Sequence, residues 1–432
     1  VFTLIVLFSG IPIAFGLSFV SIALLVAFEG FQMLDVFAET FYAGLNSFVL
    51  LSIPMFILMG MAVANSPAGK DLYTGLDRWL WRLPGGLVIS NIGACSIFAA
   101  LSGSSPATCA AIGTMGIPEM RKRGYSDQIA TGTIAAGGTL GVLIPPSIVL
   151  IVYGIATGTS IGRLFLCGLV PGFMLAGMFA IWALIHSYFI DKDSAKALKN
   201  RTPPTLKEKI EVLPRILPFL AIIAGVLYVL YGGVATPSEA SGVGAFLVFV
   251  LIAVVYKIYQ PKKIWNIVKV SMKESVMIMF IIAASYLFAF TLSQLYVTQS
   301  LAQSMVELSS NKWVVFILIN IFLLIAGFFL PPVAVIVMTS AILLPVITQL
   351  GFDPYWFAIV FTINMEIGLI TPPVGLNLYI IKGITPDVSL SEILKGSIPF
   401  MIIMALAILI LCIFPEIVTW LPDKIMGKSL GF

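Results

Sequence analysis

Charge is scarce in this 432-residue chain: 10% of its residues are Asp, Glu, Lys or Arg, where a soluble protein carries about 25%. Histidine is scarcer still. The single one, His186, stands near the end of an apolar run, where an interfacial position accounts for it. A membrane-embedded enzyme needs a constellation of His, Asp and Glu side chains, and one histidine with few carboxylates inside apolar segments does not supply it. No G-x-x-x-x-G-K-[ST] occurs, so the chain does not drive itself with a P-loop nucleotide site. The four cysteines (Cys95, Cys109, Cys167 and Cys412) lack the paired spacing of a metal site and read as small buried hydrophobes. The apolar start is too long for a cleavable signal peptide and has no small-residue cleavage site. The net charge of +4 comes from basic residues confined to loops, which argues against a nucleic-acid partner and for a topology signal.

What the chain has in excess is hydrocarbon. Hydrophobic residues make up 59% and the mean hydropathy is +1.07. Residues 216–231 and 243–256 are almost purely apolar, and several runs approach the ~20 residues that cross a bilayer as a helix. A β-barrel would show short alternating strands instead. The sequence therefore reads as an all-α polytopic membrane protein. Its basic clusters lie at Lys70–Arg82, Arg121–Arg123, Lys192–Lys209 and Lys257–Lys273, and the positive-inside rule puts all four in the cytoplasm. Trp79 and Trp81 beside Arg78 and Arg82 read as interfacial anchors. Residues 31–45 form an amphipathic arm suited to the membrane surface. Glu239 in "TPSEA" suits the positive end of a helix.

Four interruptions punctuate the apolar runs. The stretch 85–118 has basic residues on both flanks, so it enters and leaves on one side; "SGSSP" is its turn, with Gly103 bending the backbone and Pro106 starting the return. It reads as a re-entrant hairpin. "GTLGVLIPPS", Gly138 to Ser147, breaks the following helix, because two adjacent prolines cannot continue the hydrogen-bond ladder. A second hairpin spans about 312–350 with its tip at "GFFLPPV", and a second broken helix follows at "GLITPPVGLN", Gly368 to Asn377. The flanks of the second hairpin, 298–311 and 349–357, contain no Lys or Arg ahead of Lys312, so this hairpin enters from the periplasm.

At an offset of 227 the punctuation coincides. Pro118 falls on Pro345, Gly124 on Gly351, Gly141 on Gly368, and Pro145 and Pro146 on Pro372 and Pro373; Tyr125 falls on Phe352. With one hairpin entering from each side, the repeats are inverted. Inverted repeats with paired broken helices point to a secondary transporter whose site lies near the midplane. Broken-helix N-termini favour an anion, and freed carbonyls favour a hard cation. The expected organisation is scaffold and arm over 1–66, a first transport half over 67–160, scaffold and cytoplasmic loop over 161–300, a second transport half over 301–385, and a C-terminal scaffold helix over 386–432. An ion channel is the remote alternative; it would use one selectivity motif in an oligomeric ring, which two symmetric pairs of breaks do not resemble.

The segments "SGSSPATCAAIGTMGIPEM", "GTLGVLIPPSIVLIVYG", "IGRLFLCGLVPG" and "MEIGLITPPVGLNLYI" resemble the large membrane subunit of TRAP (tripartite ATP-independent periplasmic) transporters, over essentially the whole chain. The resemblance implies import of an organic anion across the bacterial inner membrane, coupled to Na⁺, by an inverted-repeat elevator. It also implies two partners: a small four-helix membrane subunit, separate or fused upstream, and a periplasmic substrate-binding protein. It carries a first Na⁺ site onto Ser102, Ser104, Gly141, Ile144 and Pro146. The repeat then places a second near Gly327, Pro331, Gly368, Thr371 and Pro373. One departure stands out: many members have "GMFLDP" where this chain has "GFFLPP", so Pro331 replaces a carboxylate. The wording "FFLPPVAVIVMT" and "FDPYWFAIV" is nearer to C4-dicarboxylate members; sialic acid, a sulfonate or another organic acid is the alternative substrate.

Ser104, Ser105 and Ser147, each beside a break, are the candidate substrate contacts, together with Asn377. Asn377 could instead cap freed backbone. Glu366 is an intramembrane carboxylate and hence a functional candidate. It could serve a cation site, accept from backbone N–H groups, or face a polar cleft. The topology is directly testable. Single cysteines placed at 121–123 and 192–209 should react with an impermeant thiol reagent only from the cytoplasmic side, and those at 298–311 and 349–357 only from the periplasmic side. Labelling of both hairpins' flanks from one side would end the inverted-repeat argument.

Overall fold

The repeat seen in the punctuation extends through the whole fold. The structure, a computed structural model, describes all residues except 1–2, 4–5, 7–8, 82–84, 187–202, 308–310 and 429–432; most of the long basic loop, and so part of the cytoplasmic labelling site, lies outside the described residues. Nineteen α-helices are present among those described. In chain order the first nine are α1 Ile13–Glu29, α2 Leu34–Ala43, α3 Ser52–Ala64, α4 Ala68–Trp79, α5 Gly86–Ser102, α6 Ser105–Lys122, α7 Asp127–Leu143, α8 Ile148–Thr157 and α9 Ile161–Ile185. The next ten are α10 Leu206–Tyr231, α11 Pro237–Tyr256, α12 Pro261–Gln294, α13 Val297–Glu307, α14 Lys312–Phe329, α15 Pro332–Gln349, α16 Pro354–Leu369, α17 Leu376–Ile384, α18 Leu390–Ile413 and α19 Glu416–Met426. Shifted by 227, α6 lands on α15 residue for residue, and α1, α4, α5, α7, α8 and α9 land within a few residues of α11, α13, α14, α16, α17 and α18. Nearly all positions equivalent to α10 and α19 fall outside the described residues or the chain.

One element departs from the symmetry. In the first half, α2 and α3 are separate helices bent by 56°. In the second half the same stretch is the single 34-residue α12. The chemistry is local. The first break carries Gly44, Asn46 and Ser47; the equivalent positions are Ser271, Lys273 and Glu274, of which Lys and Glu are good helix formers. At 1.5 Å per residue α12 is about 51 Å long, well beyond the ~30 Å hydrocarbon core, so the basic cluster Lys262–Lys273 rides on its first half rather than in a loop.

Both hairpins and both breaks stand where the prolines and glycines put them. Hairpin 1 is α5–α6, turning at Gly103 (φ +60°). Hairpin 2 is α14–α15, turning at Leu330 and Pro331. α7 and α8 form the first broken span, bent by 41°. α16 and α17 form the second, with the break at 370–375. Among the described residues, seven single helices are long and apolar enough to cross a membrane, or up to nine spans if each bent pair is one.

The helices sort into two sets by what they bury. α1 packs on α12 through its own apolar cluster, including Leu17, Val20, Ala284 and Phe288. α11 packs along α3, and α10 on α11 and α4. The hairpins, the broken helices, α9 and α18 form the other set. Here α9 and α18, grouped with the scaffold in the sequence reading, lie directly against the broken helices. Phe179 and Phe400 stack edge-to-face at 5.2 Å, and the Trp356 indole N–H donates to the Leu411 carbonyl at 2.8 Å. The base of hairpin 1 is tied across the repeats by Arg121, which pairs with Asp127 and Asp387. The hydrogen bond from Arg121 holds the exposed Asp387 carboxyl below its ordinary range.

The tightest helix crossing is α7 on α18. A Cβ at Gly132 would stand 2.1 Å from the Gly396 carbonyl oxygen, and one at Gly396 would stand 1.9 Å from the Gln128 carbonyl. Backbone atoms cannot rotate away, so the helices would have to separate. Gly132→Val should therefore lower stability by about 3 kcal/mol or more. Gly177→Val, at a position with nothing within 4 Å, is the control. Thermal unfolding of the two purified variants checks this.

Candidate functional site

The two hairpin tips meet at one cavity of about 300 Å³. Gly103 to Pro106 of hairpin 1 and Pro331 to Val333 of hairpin 2 form two of its walls; α12 closes a third with Glu274, Met277, Ile278 and Ile281. The broken helices contribute Val142, Ile148, Glu366 and Leu369. The two tips thus face one another across a single cavity, as the inverted arrangement expects. The cavity is mostly hydrocarbon, with Ser104 and Ser105 as its hydroxyls. No Lys or Arg is among its described lining residues.

Each hairpin is plugged into the break of its own repeat. In the first half, the turn at Gly103 lies against the break: a Cβ there would be 3.1 Å from the Pro146 carbonyl oxygen, and its positive φ already favours glycine. Pro145 and Pro146 have no N–H, so the carbonyls of Gly141 and Val142 lose their i+4 donors. Beside them the Ser102 hydroxyl stands 3.0 Å from Thr108 Oγ1, which donates to the Ser104 carbonyl at 2.9 Å. A Cβ at Gly141 would sit 2.8 Å from that of Ala99 and 3.5 Å from Thr108 Oγ1. Thus Ser102, Ser104, Gly141 and Pro146 are brought together, with Ile144 in the break between them. This is a collar of hydroxyl and carbonyl oxygens without a basic side chain, the donor set a hard monovalent cation takes. Thr108 was missed from the sequence; its hydroxyl one helical turn past Ser104 was the available signal. The opposite wall is α3, where Gly60 lets the helix lie against Ser102: a Cβ there would be 2.6 Å from the Ser102 carbonyl.

The second pair is looser. Gly368 and Gly327 touch backbone to backbone, since a Cβ at Gly368 would be 2.6 Å from the Gly327 carbonyl. Pro331 lies at the cavity wall. The Thr371 hydroxyl donates to Ile367 within its own helix at 2.6 Å. Unlike the first break, which is buried from Leu143 to Ser147, this one is exposed at Pro372 to Val374, including Pro373.

The four candidate substrate contacts divide. Ser104 and Ser105 line the cavity. Ser104 also accepts from Ala107 N as the cap of α6. Ser147 and Asn377 are fully buried and lie behind it. The Ser147 hydroxyl caps α8 by accepting from Leu150 N at 3.3 Å, and the Asn377 amide donates to the Ala135 carbonyl at 3.3 Å. Glu366 is fully buried. It accepts at 2.5 Å from the Ser105 hydroxyl, so a carboxylate of the second repeat is held by the tip of the first hairpin. Among the described residues no backbone N–H donates to it, and its hydrogen-bond partner is this hydroxyl.

Comparison with known proteins agrees with this geometry. Residues 1–417 match the family model of the tripartite ATP-independent periplasmic transporter, DctM component. The C4-dicarboxylate TRAP transporter large permease protein DctM of Vibrio cholerae is 34% identical over 98% of this chain and 96% of its own. The protein of the same description from Pseudomonas aeruginosa is 36% identical over 87% of this chain and 86% of its own. The isethionate TRAP transporter permease protein DctMQ of Oleidesulfovibrio alaskensis is 33% identical over 94% of this chain and 63% of its own. Among solved structures, the YdaH transporter of Alcanivorax borkumensis superposes with a TM-score of 0.66 at 13% identity, covering 100% of this chain and 99% of that one, a likeness of fold alone. The chain thus belongs to the DctM family of TRAP transporter large permeases, as a multi-pass inner-membrane protein.

Proposed function

We propose that the chain is a Na⁺-coupled importer of a small organic anion, a C4-dicarboxylate in the first instance, working as an elevator. The observation that carries this reading is the cavity between the two hairpin tips, with an oxygen collar beside it in the first half. A cavity with no basic side chain can hold an anion only if backbone dipoles and a co-transported cation offset its charge. Relatives named for C4-dicarboxylates favour that class; relatives named for isethionate and sialic acid mark the alternatives. A small four-helix membrane subunit, separate or fused upstream, and a periplasmic binding protein complete the system. The hairpins and broken helices would carry the anion while α3, α11 and α12 stand still. The wall formed by α12 and the side-chain-free contact at Gly60 would be the sliding surface.

Na⁺ held at Ser102, Ser104, Gly141, Ile144 and Pro146 would join the hairpin tip to the break and so order the face that presents Ser104 and Ser105. The second ion would sit near Gly327, Pro331, Gly368, Thr371 and Pro373. Substrate affinity should then rise with Na⁺ and Na⁺ affinity with substrate by the same factor. In proteoliposomes containing the complete transporter and its binding protein, Gly141→Val should abolish Na⁺-dependent succinate uptake at matched expression, and Ser104→Ala should be milder. Unaltered Na⁺ dependence in Gly141→Val would remove the first cation site from this position.

The two serines should separate in the same assay. Ser105→Ala removes a hydroxyl from the cavity and should weaken substrate binding about tenfold or more, the worth of one hydrogen bond to a charged group. Ser147→Ala removes a helix cap, about 1 kcal/mol. It should lower the melting temperature while leaving the KM near that of the parent. A large KM effect in Ser147→Ala would return that residue to the substrate site.

A further inference from the structure

On the other side of α12 from the hairpin cavity lies a groove shared with α3. Its volume is about 530 Å³, with Met272, Val276 and Met279 on one side and Pro54, Met55 and Leu58 on the other. Ser271 and Ser275 also line it, but their hydroxyls donate to the Ile267 and Ser271 carbonyls at 2.8 and 2.7 Å. The groove therefore offers hydrocarbon alone. Met272 and Val276 are exposed at its rim.

Depth decides what can fill it. Counted back from Gln294, the ~20 residues that cross the hydrocarbon core reach Ser275. Val276 and Met279 thus lie at acyl-chain depth, and Met272 at the level of the head groups. At that level Lys269 and Lys273 stand about one turn apart on the adjoining stripe of α12. Lys262 continues the stripe, and the three fall within about 40° of one another around the helix axis. All three are exposed, and none makes an ion pair or a side-chain hydrogen bond among the described residues. No Asp or Glu is among the described lining residues.

Width decides between occupants. Val268 and Phe280 are the first and last residues that α12 gives the groove, so it runs about 18 Å along the helix. Its mean cross-section is then about 30 Å², whereas a helix 10 Å across needs about 80 Å². A single hydrocarbon chain fits within it and a helix of a partner protein does not.

We propose that this groove and its lysine pair bind an anionic glycerophospholipid, phosphatidylglycerol, with one acyl chain between α3 and α12 and the phosphodiester held by Lys269 and Lys273. Basic side chains at head-group level beside a groove between membrane helices are the donor set for such a lipid. Four residues apart on one face, the two ammonium groups can meet a single phosphate. The lipid would brace α12 from the side opposite the cavity wall formed by Glu274, Met277, Ile278 and Ile281. That bracing role rests on the elevator reading; the binding itself does not.

The transporter, purified with its small membrane subunit and stripped of lipid in detergent, is titrated with radiolabelled dioleoyl phosphatidylglycerol and, separately, with dioleoyl phosphatidylcholine. The parent should bind phosphatidylglycerol saturably and at least tenfold more tightly than phosphatidylcholine. The double variant Lys269→Gln with Lys273→Gln should weaken phosphatidylglycerol binding about thirtyfold, roughly fivefold for each charge removed near an anionic head group. Its phosphatidylcholine binding should not change. Val276→Trp fills the groove with the lysines intact and should remove one bound phosphatidylglycerol per large subunit. The lysine variant alters only exposed positions and carries the test if the Trp variant fails to elute as a single folded species. Equal affinity of the parent for the two lipids, or unaltered phosphatidylglycerol binding in either variant, would overturn the site. Loss of the small subunit from Val276→Trp with lipid binding unaltered would overturn it as well and give the groove to that subunit.

Discussion

A backbone carbonyl that has lost its helical donor cannot face lipid; this constraint arranges most of the molecule. Pro145–Pro146 and Pro372–Pro373 each remove two N–H donors from the middle of an apolar span. Irregular backbone at membrane depth survives only if protein or water covers it. Hairpin 1 supplies that cover for the first break, which is buried from Leu143 to Ser147. The second break is exposed at Pro372 to Val374, so it must meet water or a partner rather than lipid. The same closure that covers the break brings the Ser102 and Thr108 hydroxyls and the Ser104 carbonyl together beside it.

Closure of this kind demands close approach, and glycine provides it. Gly60 against Ser102, Gly141 against Ala99, Gly368 against Gly327 and Gly132 against Gly396 all place backbone where a Cβ would collide. Without a hydrophobic driving force between helices in lipid, such contacts gain van der Waals packing that larger side chains would prevent. The halves are then fastened to each other by polar contacts at two depths: Arg121 with Asp127 and Asp387 at the base of hairpin 1, and Ser105 with Glu366 inside. The repeats are similar in shape but joined by residues that are not equivalent, which is how a symmetric fold obtains a site with a single composition.

The cavity between the hairpin tips has no Lys or Arg among its described lining residues. A fixed basic side chain in the core of a membrane protein would cost energy in every state. In the proposed reading, dipoles and a co-transported cation would supply positive potential only while the ion is bound. The net charge of +4 comes from basic residues away from the cavity lining and says nothing of what the cavity takes.

Proline and glycine spacing in the sequence was enough to locate both hairpins, both breaks and the repeat at 227, because these residues act on their own backbone wherever they stand. The Gly44–Ser47 bend and the length of the continuous α12 were not foreseen, since a basic cluster reads as a loop. Side-chain partners were another matter. That Glu366 meets Ser105 across 261 positions, that Ser147 caps a helix instead of lining the cavity, and that α9 and α18 lie on the broken helices depend on which faces the packed helices present. Local propensity sets where a helix starts, stops or breaks; only tertiary packing decides which oxygen faces which across the closed interior.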